Sequence, residues 1–166
     1  MKKFISICSI TTILLFFSIP IGSYITVKIF SDVPDYMFTN DKFKEEKLIG
    51  YIKELRIKFP HIVMAQALVE SGNYSSMLFK KNNNLFGMRN PGIRSTTSKG
   101  SRFGYAYYDS WRESVLDYAL FSAYNSKNIK TENEYFQFLG KIYAEDSSYI
   151  STLKNVIEKN KLKNLF

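Results

Sequence analysis

The chain has one cysteine and one histidine in 166 residues. Cys8 lies inside an apolar N-terminal run, so no disulfide can form within the chain. It is also a poor lipid-attachment site, because Ile7 precedes it where a small residue is needed and the apolar run before it is short. One His and one Cys cannot build a His/Cys zinc centre, and neither HExxH nor CxxC occurs. No metal site and no cofactor is therefore expected. A Ser-His-Asp triad would have to use His61, at the start of an apolar helix, and is set aside. No dense Arg/Lys block interleaved with aromatics is present, so nucleic acid is not an expected partner. The net charge is +8. Lys2, Lys3 and Lys28 lie in or beside the N-terminal segment, leaving +5 on the rest. That excess suits anionic surroundings such as phospholipid headgroups or acidic wall polymers.

Apolar and aromatic residues are plentiful, with 45% hydrophobic, 12 Tyr and 14 Phe. Most of these rings suit a core with polar tips at its surface, and some suit stacking on sugars. Behind Lys2 and Lys3, Phe4 to Val27 run for twenty-four residues without a charge. That length spans a bilayer and exceeds a usual signal-peptide core. The lysines place the remainder outside the cytoplasm. Residues 1–30 are thus expected to be an uncleaved signal anchor, with a signal peptide cut after Ser23 as the alternative. Residues 31–40 form a linker containing Pro34. Residues 41–166 form one domain, large enough for its own core and expected to be a monomer at the cell envelope.

Within that domain the periodicity predicts a mainly α (α+β) fold. Asp41 to Lys58 is expected to be a helix with Phe43, Leu48, Ile52 and Leu55 on its apolar face, capped by Asn40 or Asp41. A second helix begins at Pro60 and ends before Gly72. Asn82-Asn83-Asn84-Leu85-Phe86-Gly87 marks a tight loop. Residues 88 to 109, rich in Gly, Ser, Thr and Arg, are read as a small β-hairpin lobe with a strand near Phe103–Tyr108. Capping boxes at Ser110–Glu113 and Thr131–Glu134 open helices to about Asn125 and Tyr143. Asp146 or Ser147 opens a last helix.

Glu70 is the residue out of place. Proline suits the first position of its helix and glycine the left-handed residue just past the end. Glu70 therefore occupies the last turn, where unpaired carbonyls disfavour a carboxylate and favour a protonated carboxyl. A raised pKa would make it a usable general acid near neutral pH. An ordinary surface glutamate at a helix end would cost only about 0.3–1 kcal/mol, so this position alone does not decide the matter.

Four segments in order strengthen it. Ala65-Gln66-Ala67-Leu68-Val69-Glu70-Ser71-Gly72, Asn83-Asn84-Leu85-Phe86-Gly87-Met88, Tyr105-Ala106-Tyr107-Tyr108-Asp109-Ser110 and Tyr143-Ala144-Glu145-Asp146-Ser147-Ser148-Tyr149 occur within roughly residues 45 to 160. Together they resemble the lysozyme-like glucosaminidase domain of glycoside hydrolase family 73, the bacterial wall-cleaving N-acetylglucosaminidases. The resemblance implies a lysozyme-like helical domain acting on peptidoglycan glycan strands, with Glu70 protonating the glycosidic oxygen. Asn84, Leu85, Phe86 and Gly87 would line the cleft behind it. Tyr108 would be the catalytic tyrosine facing the sugar, and Tyr143 and Asp146 would shape the far wall. Gln66 and Tyr105, in the matched motifs, complete the expected substrate-binding set, whereas Tyr149 is read as packing.

The chain departs from the family in one respect. Glycosidases usually carry a second carboxylate roughly 5–9.5 Å from the first, and family members that have one tend to place it in the β lobe. Here no acid occurs between Met88 and Tyr108. Asp109 or another acid could move in, or the substrate's N-acetyl group could act as nucleophile. A lytic transglycosylase, which needs one glutamate, is the alternative enzyme. An inactive wall-glycan-binding module is the alternative outside catalysis.

Overall fold

A computed structural model describes residues 42–143 and 148–166. The expected anchor, the linker, the cap residues Asn40 and Asp41, and Asp146 lie outside the described residues. Among the described residues no helix is long and apolar enough to cross a membrane. The elements run α1 (Glu45–Glu54), α2 (Pro60–Glu70), α3 (Met77–Asn82), β1 (Ser101–Arg102), β2 (Tyr105–Ala106), α4 (Trp111–Asn125), α5 (Glu132–Ile142), α6 (Tyr149–Lys159) and a 3-10 helix at Leu162–Leu165.

Helix α2 is the centre of the domain. His61 to Leu68 are all buried, which is the behaviour of a helix apolar on every side. It packs mainly against α6 and the 3-10 helix. Pro60 takes the first helical position as expected. The exit is a Schellman motif: Gly72, at φ +56, donates its N–H to the Val69 carbonyl at 3.1 Å, and Asn73 donates to Leu68 at 2.8 Å. This corrects the reasoning about Glu70, because the carbonyls of Leu68 and Val69 are paired rather than open.

Helix α1 is shorter than its apolar pattern implies. Lys44 precedes it without a side-chain cap. Phe43 leaves the helical path to meet the rings of Tyr74, Phe79 and Trp111 at 4.7, 5.0 and 5.6 Å. Thr131 and Glu134 form the expected capping box of α5. At α4 only half of it forms. Ser110 accepts from the Glu113 N–H at 3.3 Å, but the Glu113 carboxylate reaches back to the Asp109 N–H at 2.9 Å.

The β lobe is a hairpin of two residues a side, with Ser101 opposite Ala106 and Arg102 opposite Tyr105. Phe103 and Gly104 turn it with φ of 56° and 79°, two successive left-handed residues of the kind that suit tight hairpins. So short a hairpin cannot hold itself. The asparagine run holds it instead. Asn82 Nδ2 donates to the Arg102 and Ala106 carbonyls at 2.9 and 3.2 Å. Asn83 Nδ2 donates to those of Tyr108 and Asp109 at 2.9 and 3.1 Å. Asn84 Nδ2 donates to Met88 and Ala106, both at 2.9 Å, while its Oδ1 accepts from the Met88 N–H at 3.1 Å. A second tie joins the lobe to α4: Arg94 Nη1 lies 2.6 Å from Asp117 Oδ1, with both side chains buried.

Candidate active site

A cleft of about 930 Å³ opens between the end of α2, the β lobe and helices α4, α5 and α6. Val69 and Glu70 come from α2, Gly87 to Arg89, Pro91 to Arg94 and Tyr105 from the lobe, and Tyr143 and Tyr149 from the far side. Ile93, Tyr124 and Ile142 bring exposed apolar surface to it. Arg89 brings positive charge, while the charge of Arg94 is paired with Asp117. Among the described residues lining it, Glu70 is the only acid.

The last turn of α2 points Glu70 into this space. Tyr149 donates its hydroxyl to Glu70 Oε1 at 2.9 Å. Gln66, one turn earlier on α2, donates its amide N–H to the Tyr149 oxygen at 3.1 Å. Glu70 Oε2 lies against Gly87, which sits at φ +61; a Cβ there would stand 3.2 Å from that oxygen. The backbone angle thus calls for glycine, and a side chain there would also press on the Glu70 carboxyl. Burial, reinforced by the charge of Glu70, pushes the phenols of Tyr149 and Tyr143 far above their ordinary range. Both remain protonated and able to donate at any physiological pH. Their rings stack 6.1 Å apart and 8° from parallel.

The expected site residues divide into two groups. Glu70, Gly87, Tyr105 and Tyr143 line the cleft. Gln66, Asn84, Leu85 and Phe86 have no exposed surface and so support the cleft from behind. Tyr108 is 3% exposed and does not line it. Its hydroxyl donates to Asp117 Oδ2 at 2.7 Å, and burial together with the Asp117 charge raises its pKa. The hydroxyl beside Glu70 belongs to Tyr149, which the sequence motif contained but which its residue type alone did not distinguish from packing. Asp117 was also missed: an acid inside a helix gives no sign of an arginine partner 23 positions earlier. Asp109, the candidate second acid, has a 70% exposed side chain 3.3 Å from Lys99 and is not among the lining residues. His61 lies in the first turn of α2, 3.1 Å from Glu132 and nine positions along the helix from Glu70.

The fold is similar to that of the crystal structure of the catalytic domain of the autolysin Auto from Listeria monocytogenes, at 21% identity and a TM-score of 0.51, covering 87% of this chain and 97% of that one. No curated protein matches the sequence. Residues 46–162 match the glucosaminidase family, described as mannosyl-glycoprotein endo-beta-N-acetylglucosaminidase. That match spans most of the chain and takes in every wall of the cleft around Glu70. The protein belongs to the glucosaminidase family and is a glycosidase of the endo-β-N-acetylglucosaminidase type.

Proposed function

We propose that this enzyme hydrolyses the β-1,4 bond after N-acetylglucosamine in peptidoglycan, with Glu70 as general acid. The observation that carries the reading is the placement of Glu70: a carboxyl at the mouth of α2, oriented by Tyr149, in a cleft with no other acid among its described lining residues. Because Oε1 accepts from Tyr149, a proton on the carboxyl resides on Oε2, on the Gly87 side. That proton passes to the glycosidic oxygen as the bond to C1 breaks. The acetamido oxygen of the same sugar attacks C1 and forms a cyclic oxazolinium ion. Glu70, now a carboxylate, takes a proton from water as that water opens the ring. One side chain thus serves both steps. The cleft's aromatic and apolar surfaces suit sugar faces, Arg89 suits an anionic polymer, and the likeness to an autolysin catalytic domain favours a wall substrate.

Digestion of purified peptidoglycan by the full-length protein tests the reading. New reducing-end N-acetylglucosamine is expected, with retention at the anomeric carbon. Inversion would point to water activated by a mobile acid, and anhydro-muramyl ends to a lytic transglycosylase. Glu70→Gln is expected to lower turnover by about 10³-fold; full activity in that variant would sink the assignment. The uncharged Phe4–Val27 run behind Lys2 and Lys3 supports an anchor with the enzyme outside the cytoplasm. A mature chain beginning near Tyr24 would instead indicate cleavage.

A further inference from the structure

Behind Glu70 lies a line of polar side chains that touches no part of the cleft until its last members. The Tyr135 and Tyr118 hydroxyls are 2.8 Å apart. Tyr118 donates to Gln66 Oε1. Gln66 Nε2 donates to Tyr149, and Tyr149 donates to Glu70 Oε1. Tyr135, Tyr118 and Gln66 have at most negligible exposure. The line crosses α5, α4, α2 and α6 and returns to α2, so it belongs to the tertiary fold and not to any one element.

Its direction follows from counting protons. A phenol has one, and an amide oxygen can only accept. Tyr118 gives its proton to Gln66 Oε1, so Tyr135 must be the donor in the pair with Tyr118. The Gln66 NH₂ then faces the Tyr149 oxygen, which leaves the Tyr149 proton for Glu70. If the amide were turned over, its oxygen would draw the Tyr149 proton and Glu70 would lose the Tyr149 hydroxyl as a donor. The orientation of one buried amide therefore decides how the carboxyl of Glu70 is held.

We propose that Tyr118 and Gln66 are positioning residues for Glu70, forming a one-directional hydrogen-bond chain that keeps Oε1 an acceptor and so assigns the catalytic proton to Oε2. The inference rests on the reading of Glu70 as general acid. The chain also stabilises the carboxylate form, since every donor along it points toward Glu70. The other titratable or charged groups lining the described cleft are Tyr143 just past the end of α5, Tyr124 on α4, and Arg89, Arg94 and Tyr105 on the lobe; of these Tyr143 interacts electrostatically with Tyr118, and neither phenol carries a charge at physiological pH.

Tyr118→Phe in the full-length protein removes the group that holds Gln66 Oε1. The amide then gains by turning toward Tyr149, and Glu70 loses a donor to its charged form. The expected result is a kcat about tenfold lower, an unchanged KM, and an alkaline limb of the pH profile moved up by roughly 0.5 unit. Tyr135→Phe, which removes only the donor to Tyr118, is expected to move the limb in the same direction by less. It decides the matter if Tyr118→Phe does not fold. A folded variant whose limb stays at the wild-type pH, whatever its loss of rate, overturns the inference. Glu70→Gln, measured alongside, separates the two failures: if it is inactive while the limb stays fixed, only the positioning chain is wrong, and if it is fully active, the general-acid reading itself is wrong.

Discussion

On the helical wall of the cleft, buried polar groups run from Tyr135 through Gln66 and end on the carboxyl of Glu70. On the lobe wall they end on architecture. The amides of Asn82 and Asn84 terminate on backbone carbonyls, and Tyr108 and Arg94 terminate on Asp117. The same inventory of amides and phenols thus serves chemistry on one side and attachment on the other. What separates the roles is the atom at which each network stops. A family motif identifies such residues without saying which network they join, and Tyr108 and Tyr149 show the consequence: two motif tyrosines, one committed to the scaffold and one to the acid.

The contrast can be attacked from the lobe side. Arg94→Ala leaves Asp117 buried without its cation and is expected to lower stability by about 3–5 kcal/mol, read as a large drop in melting temperature. Exchanging both partners for apolar residues of similar volume should recover much of it. Asn84→Ala removes several buried hydrogen bonds and strands the Met88 N–H. A loss of about 2–3 kcal/mol is expected, with activity recovering once the protein is assayed well below its melting point. Tyr108→Phe removes one of the two donors to Asp117 Oδ2, leaving Arg94 Nη2 at 3.3 Å, and should cost about 1 kcal/mol. It should keep kcat within a few-fold and leave the pH profile in place. A loss comparable to that of Tyr149→Phe would break the division between the walls. The smallest expected effect is at His61, where burial lowers the pKa despite the opposing pull of Glu132. A depressed histidine pKa means that the unfolded chain binds the proton first, so stability falls as pH drops through the unfolded value of about 6.5. In His61→Gln, melting temperatures measured from pH 7.5 to 5 should decline less steeply than in the parent.

Much of this arrangement was legible locally. Pro60 and Gly72 bracketed α2, Thr131 and Ser110 marked helix starts, and Phe103–Gly104 fell inside the expected lobe. Each signal is carried by residues within a few positions of the feature it marks. What the sequence did not disclose depends on distant partners. The asparagine run read as a turn, yet its side chains bind carbonyls 20 to 26 positions away. Tyr149 meets Glu70 across 79 positions, and Gln66 meets Tyr118 across 52. The start of α1 was misplaced for the same reason, because Phe43 satisfies its apolar surface against Trp111 rather than along its own helix.

The asparagine staples have a consequence for where such an enzyme can work. An amide neither titrates nor carries a charge for salt to screen, and the Arg94–Asp117 pair is buried from counterions. The opposing wall of the cleft is thus fixed by uncharged amide contacts and by a buried ion pair that salt does not screen. At its edge the partly exposed Lys99 links to the exposed Asp109 and the buried Glu113, and these contacts are more open to salt. In a polyanionic matrix whose local salt concentration varies, the width presented to a glycan strand stays constant while the surface charge around it is free to adjust.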